Sequence, residues 1–235
     1  MSNKEVGIKK MFDGIHKRYD LLNHLMSAGR DIAWRKKCCK KLLKYSGGVG
    51  KNAVVLDLCG GTGDFSLAYK KILGNPKLCL VGDFSDKMLL ESVQKNAGTP
   101  VQMDATNIPL SDNSVDFILN GFGMRNIPNL DAAFAEAFRV LKVGGIFITL
   151  EFFKPSSTIS KLFYEKIAPF AIPFAGMILS KHNAYRYLVL SILNFLTPKE
   201  YAIKARSFGF KTRCVKAFDG GLSYMVMAEK AEYAG

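Results

Sequence analysis

V-V-L-D-L-C-G-G-T-G-D, residues 54–64, is the stretch whose reading decides the fold. Residues 53–58 are an apolar run that reads as a buried parallel strand. Gly60, Gly61 and Gly63 end it, and glycine lets the backbone turn sharply with φ > 0 and approach a ligand closely. From Asp64 the pattern turns helical through Phe65, Leu67, Ala68 and Ile72. Strand, glycine turn and helix in that order form the usual seat of a nucleotide-like cofactor.

Downstream, the alternation is regular. Residues 78–81, 100–104, 115–120 and 145–150 read as strands, and 85–95 and 129–141 as helices. That order implies an α/β fold whose parallel sheet is built by right-handed crossovers. A helix over 198–207 and two runs, 211–216 and 222–229, close enough to be antiparallel neighbours, complete the chain. Upstream, residues 5–45 are helical in pattern, with Gly29 as the break and S-G-G-V-G-K, 46–51, as a linker. The second of these helices, 31–45, places Trp34 among Arg35, Lys36, Lys37, Lys40, Lys41 and Lys44.

Residues 152–197 form a long apolar insertion, containing I-A-P-F-A-I-P-F-A-G-M-I-L and Y-R-Y-L-V-L-S-I-L-N-F. These runs are too short and too broken by proline to cross a bilayer. Two readings stand: ordinary core packing, or a mobile lid over a greasy substrate, since the insertion begins where an open α/β sheet carries its site.

At 235 residues, 49% of them hydrophobic, the chain suits one α/β domain, 1–235, with a basic extension at 1–51 and the insertion at 152–197. Its start has no apolar segment after the first charges, which predicts a cytoplasmic protein. The five cysteines contain no C-x-x-C pair, and His16, His24 and His182 are not spaced with them as metal ligands, so no metal is expected. The net charge of +13 is unevenly placed: residues 1–51 hold thirteen Lys/Arg against four Asp/Glu. Such a segment suits nucleic acid, an anionic membrane surface, or a solvated helix face.

Four strand ends are expected to meet at one edge of the sheet. Asp57 and the turn through Gly61, Thr62 and Gly63 offer a carboxylate, backbone N–H groups and a hydroxyl. Asp83 follows the glycine turn by the spacing at which a carboxylate grips a ribose diol. Asp104 and Ala105 follow the third strand, where a carboxylate could read an adenine amino group or simply hold a turn. The turn has no basic residue and G-x-x-x-x-G-K-[ST] is missing, which argues against a triphosphate; Cys59 stands where a dinucleotide fingerprint wants its first glycine. D-x-C-x-G-x-G with a downstream acid suits S-adenosylmethionine, and with it methyl transfer.

Y-D-L-L-N from Tyr19, W-R at Trp34, L-D-L-C-G-G-T-G-D from Leu56, F-G-M-R-N from Phe122, R-V-L-K-V-G-G from Arg139, L-E-F from Leu150 and Y-R-Y-L-V-L-S-I from Tyr185 complete the pattern. Together they resemble the ubiquinone/menaquinone biosynthesis C-methyltransferases over nearly the whole chain. The resemblance implies a class I S-adenosylmethionine-dependent methyltransferase fold: a Rossmann-like, seven-stranded, mostly parallel sheet with helices on both faces. It implies that Thr62, Asp83, Asp104 and Ala105 contact the cofactor; at the position where the family often has a serine contact, this chain has Gly121. The implied substrate is a polyprenylated quinol such as demethylmenaquinol, methylated on a ring carbon. Arg125 is then expected near the quinol oxygen, with Asn126 orienting the ring and Tyr19 reaching the same site. His24 is a candidate proton acceptor, Tyr185, Arg186 and Tyr187 shape the lid, and Glu151 is either a pocket carboxylate or a helix-start residue.

The expected partners are the quinol and an anionic membrane, docked through Trp34, the basic helices and the insertion. A homodimer or a quinone-synthesis complex stays open. A nucleic-acid methyltransferase is a weaker alternative, because [DN]-P-P-[YFW] and a Pro-Cys nucleophile are absent, and nucleic acid is not expected. A non-catalytic S-adenosylmethionine-binding subunit is the third reading, opposed by the intact Arg125 and Asn126.

Overall fold

A computed structural model of the chain describes residues 29–47, 49–156 and 182–232, with Gly14 and Ser27; for 182–186 it describes the backbone alone. Tyr19, His24 and the middle of the insertion, 157–181, lie outside the described residues.

The elements are α1 (Arg30–Tyr45), β1 (Val54–Leu58), α2 (Asp64–Leu73), β2 (Leu78–Asp83), α3 (Asp86–Gln94), β3 (Thr99–Gln102), β4 (Val115–Gly121), α4 (Leu130–Val140), β5 (Leu141–Glu151), α5 (His182–Leu193), α6 (Pro198–Ser207), β6 (Phe210–Phe218) and β7 (Ser223–Lys230). From Arg30 onward the expected strands and helices are present, with ends moved by a few residues; the helix expected before Gly29 lies outside the described residues. The longest extension is at β5, which begins at Leu141 rather than 145 and pairs there with Val115 of β4. Gly29, the expected break, is the N-cap of α1 with φ 72°. T-P-K-E starts α6 sharply: the Thr197 side chain accepts from the Glu200 amide, Glu200 answers at the Thr197 amide, and Pro198 fits the first turn.

The strands form one seven-stranded sheet in the order β3-β2-β1-β4-β5-β7-β6. β1 to β5 pair in parallel, while β7 is antiparallel to both β5 and β6. The last two strands therefore close the sheet as the hairpin-like finish the sequence suggests. Alternate residues face opposite layers. Val55, Phe117, Leu119, Ile146, Ile148, Met225 and Met227 pack with α1, α2 and α5. Leu56, Leu58, Ile118, Phe147, Val226 and Ala228 pack with α4 and α6 on the other side. A central strand covered on both faces is mostly apolar, which is why β1 reads as a run broken only by Asp57 rather than as an alternation.

Trp34 departs from its expected lipid-facing role. It is 1% exposed, packs against Phe122, Phe152 and Phe218, and donates its Nε1–H to Asp219 Oδ2 at 2.6 Å. The tryptophan docks α1 onto the sheet. Each apolar face needs a covering layer, and α1 supplies one through Trp34, Cys38, Cys39 and Leu42.

The chain runs outward from β1 through β2 to β3, then returns to place β4 on the other side of β1. This reversal opens a crevice beyond the carboxyl ends of β1 and β4, where ligands of open α/β sheets bind.

Candidate active site

The β1 end begins with Asp57, whose Oδ2 accepts from the Ser66 amide at 2.9 Å and the Ser66 hydroxyl at 2.8 Å. Burial pushes this carboxyl up to about 7, against the Ser66 hydrogen bonds and the charge of Arg35. Its Oδ1 is buried with no partner among the described residues.

The glycine turn then folds tightly. A Cβ on Gly60 would fall 2.8 Å from the Asp57 carbonyl, and one on Gly63, at φ 82°, only 2.2 Å from the Ala97 Cβ. Only glycine fits both places. The Gly61 amide donates to Asp83 Oδ2 at 2.9 Å, while Asp83 Oδ1 accepts from the Ser85 amide at 2.9 Å. The β2 carboxylate thus clamps the turn after β1. Thr62 is buried, and its hydroxyl accepts from Lys95 Nζ at 3.0 Å; Lys95 also reaches Asp64 at 2.8 Å. The turn contains no basic residue of its own, but the fold lays one over it.

Asp104 is exposed, and its Oδ1 accepts from the amide and hydroxyl of Thr106 at 2.8 and 2.7 Å. It holds the turn after β3, with Ala105 buried beneath. The half-buried Cys59 thiol reports how these acids converge. Its burial pushes it up, and the charges of Asp83, Asp104, Asp57 and Glu151 add to the effect.

At the β4 end, fully buried Asn120 donates from Nδ2 to the Leu58 carbonyl at 2.7 Å and accepts from the Met124 amide at 3.3 Å. It pins the two strand ends that border the crevice. Phe122 follows with φ 63°, leading into a single helical turn, Met124–Asn126. Arg125 Nη1 donates to the Phe122 carbonyl at 2.8 Å and pairs with Glu151 Oε1. Glu151 is 0% exposed, and burial raises its carboxyl while Arg125 and the Phe152 amide draw it down. The guanidinium carbon lies 5.7 Å from the Phe152 ring centre, and Nε is buried without a partner among the described residues. Asn126 Nδ2 donates to the Phe122 carbonyl at 3.2 Å, and its Oδ1 accepts from the Tyr187 hydroxyl at 2.9 Å. Tyr187 ties α5, the described end of the insertion, to this loop; Leu188 and Ile192 of the same helix enter the core.

The fold therefore assembles Asp57, Gly61, Thr62, Gly63, Asp83, Asp104 and Ala105 along one half of the edge, with Arg125 and Asn126 on the other. Glu151 is a strand-end carboxylate engaged with Arg125 rather than a helix start. Lys95 and Asn120 carry no such expectation from sequence. An asparagine closing the otherwise apolar stretch of β4 is the signal for the second; the first leaves none, because Lys95 lies far along the chain from the turn it covers.

Comparison with known proteins places the chain among methyltransferases. The profile of the ubiE/COQ5 methyltransferase family matches residues 1–230. The chain is 34% identical to a demethylmenaquinone methyltransferase of Staphylococcus aureus strain JH9, over 97% of this chain and 95% of that one. Among solved structures it resembles a SAM-dependent methyltransferase from Thermotoga maritima, with a TM-score of 0.66, 17% identity, and 94% and 98% of the two chains covered. It also resembles a SAM dependent methyltransferase from Aquifex aeolicus, with a TM-score of 0.58, 18% identity, and 82% and 89% covered. The structural likenesses establish the class I, Rossmann-like fold; the family match and the curated relative over nearly the whole length establish more, and the chain belongs to the ubiE/COQ5 methyltransferase family.

Proposed function

We propose that this chain transfers a methyl group from S-adenosylmethionine to a ring carbon of a polyprenylated quinol, demethylmenaquinol in the first instance, in menaquinone or ubiquinone biosynthesis. The observation that carries the reading is the pair of unsatisfied buried atoms at the crevice, a carboxylate oxygen on Asp57 and a guanidinium N–H on Arg125. An acid-lined half suits a cationic donor, and a cation-bearing half suits an anionic acceptor.

When bound, S-adenosylmethionine supplies a sulfonium-activated methyl group. On our reading Asp57 Oδ1 receives the ammonium of its tail, Gly61, Thr62 and Gly63 shape the backbone bed, Asp83 grips the ribose diol, and Asp104 and Ala105 border the adenine. The quinol carbon becomes nucleophilic as the neighbouring hydroxyl loses its proton. Arg125 Nε stabilises the phenolate charge by donating to that oxygen. Asn126, fixed by Phe122 and Tyr187, orients the ring oxygen, and Tyr19 completes the assignment from the N-terminal segment. After transfer the ring C–H proton leaves to solvent, which restores aromaticity, and the oxygen takes a proton back to give the quinol. An apolar, water-poor wall favours a step in which opposite charges neutralise, which Phe122, Phe152 and the insertion would provide.

The membrane contact is part of the proposal, placed at the cytoplasmic face and carried without Trp34. Among the described residues no helix is long and apolar enough to cross a bilayer. Lys37, Lys40 and Lys44 on α1 and Lys211 and Lys216 on β6 are exposed, together with Ile32, Leu43 and Val215. Vesicle binding should rise with anionic lipid content; equal binding to neutral vesicles would remove the electrostatic part of the idea.

Purified chain incubated with S-adenosylmethionine and reduced demethylmenaquinol should yield the ring-methylated quinol by mass spectrometry, and a deletion strain should accumulate the species lacking that methyl. Failure of both overturns the assignment.

A further inference from the structure

Three of the four buried side-chain atoms without a hydrogen-bond partner among the described residues lie around the crevice: Asp57 Oδ1, Arg125 Nε and Arg35 Nε. The first two have roles in the proposed reaction. Arg35 has none. It is 5% exposed, on the inner face of α1, where Trp34, Cys38, Cys39 and Leu42 fix the helix against the sheet. Its Nη1 pairs with Asp31, itself held by the Ser27 hydroxyl at 2.7 Å, and stands 4.0 Å from Asp64 at the start of α2. These contacts satisfy one end of the guanidinium and hold its plane.

The Nε end lies beside the end of β4. A Cβ on Gly121, the last residue of β4, would lie 3.8 Å from Arg35 Nε, and the guanidinium carbon is 5.4 Å from the Phe122 ring centre. Nε–H therefore approaches the β4 border of the crevice, and the glycine leaves no side chain there to meet it. On the β1 border Asp57 Oδ1 is the unsatisfied acceptor, near enough to Arg35 that the two charges influence each other. A buried donor and a buried acceptor of opposite charge, one on each border of a crevice, complement a ligand carrying an ammonium and a carboxylate on the same carbon. Burying a charged group with an unmade hydrogen bond is unfavourable, and a ligand that supplies the bond recovers the loss.

We infer that Arg35 binds the α-carboxylate of the methyl donor's amino-acid tail through its Nε–H, completing with Asp57 a recognition pair for the zwitterion. The inference rests on the cofactor assignment proposed for the crevice and adds a determinant from outside the glycine turn and the strand ends. Arginine suits the task because its fork can donate to Asp31 with one nitrogen and to the ligand with another, which a lysine point charge cannot reproduce.

Calorimetric titration of the full chain with S-adenosylmethionine and with decarboxylated S-adenosylmethionine, two probes differing only in the carboxylate, tests it without turnover. The unaltered protein should prefer the carboxylated probe by about tenfold or more, the scale of one charge-assisted hydrogen bond. Arg35→Lys should weaken S-adenosylmethionine by about tenfold while changing the decarboxylated probe by less than about twofold. Equal affinity of the unaltered protein for the two probes overturns the inference, and this arm needs no variant to fold. An equal loss for both probes in Arg35→Lys overturns it too, because it marks a residue that only packs α1. Binding of neither probe to the unaltered chain overturns the cofactor assignment itself, an outcome distinct from the other two.

Discussion

The two halves of the upper sheet edge hold acids in opposite ways. At the ends of β1 and β2, Asp57 and Asp83 are held by neutral donors: the Ser66 amide and hydroxyl, the Gly61 amide and the Ser85 amide. At the ends of β4 and β5, Glu151 is held by the Arg125 guanidinium. Amide partners bring no countercharge of their own to a carboxylate, whereas a guanidinium does and keeps donors to spare. One edge, built from equivalent strand ends, thereby acquires an anionic half and a half with an unsatisfied cationic donor. The distinction lies in the partner of each acid rather than in the acid itself.

The comparison can be broken most directly at Arg125. Arg125→Ala leaves Glu151 buried and unpaired, so chemical denaturation should show a loss of about 3–5 kcal/mol. Turnover of quinol should fall at least about 100-fold, the scale of a lost oxyanion donor, while calorimetry finds cofactor affinity nearly unchanged. Turnover that survives would reduce Arg125 to a loop brace. On the anionic half, Asp83→Ala releases the Gly61 and Ser85 amides. S-Adenosylhomocysteine should then bind about ten- to a hundredfold more weakly, with turnover at saturating cofactor largely retained. Unchanged affinity would mean that the ribose lies elsewhere.

Asp57 sharpens the same contrast through pH. Its folded carboxyl is pushed up to about 7 by burial, whereas an unfolded one titrates near its ordinary 3.8. Between those values the ligand-free fold holds a proton that the unfolded chain has released. Stability from this group is therefore greatest at low pH and declines as pH rises through about 7. Binding an ammonium requires the ionised form, so cofactor affinity should move oppositely, falling about tenfold for each pH unit below about 7. Asp57→Asn should flatten both dependences, raising the ligand-free melting temperature near about pH 8; calorimetry and thermal unfolding across the range read the two effects. The smallest change expected is at Trp34, beside the β4 half. Trp34→Phe removes the bond to Asp219 and should destabilise by about 1 kcal/mol in a denaturant titration. Vesicle binding should not change, because the indole is buried; a large loss would return Trp34 to the membrane.

Much of this edge is legible in the order of residues along the chain. The glycine turn, the spacing to Asp83 and the F-G-M-R-N stretch put nearly every assigned residue at its strand end, because such features depend on local backbone geometry and on periods of two or 3.6 residues. The partners are less accessible. Glu151 has no single role in the sequence, since its meaning depends on Arg125, twenty-six residues away across a strand pair. Trp34 among lysines resembles an interfacial anchor, yet only the docking of α1 decides which side of that helix meets the sheet.

The sequence by itself therefore determined the strands and the helices between them, their order, the need for glycine at the turn and the inventory of charged groups at the strand ends. The tertiary structure alone decided which groups cancel and which are buried with a hydrogen bond unmet among the described residues. It laid Lys95 over Thr62, ran Asn120 across to Leu58, matched Arg125 to Glu151 and turned Arg35 inward. Those choices follow from placing β4 beside β1 and packing α1 against the same face, long-range contacts that create low-dielectric surroundings no local pattern encodes.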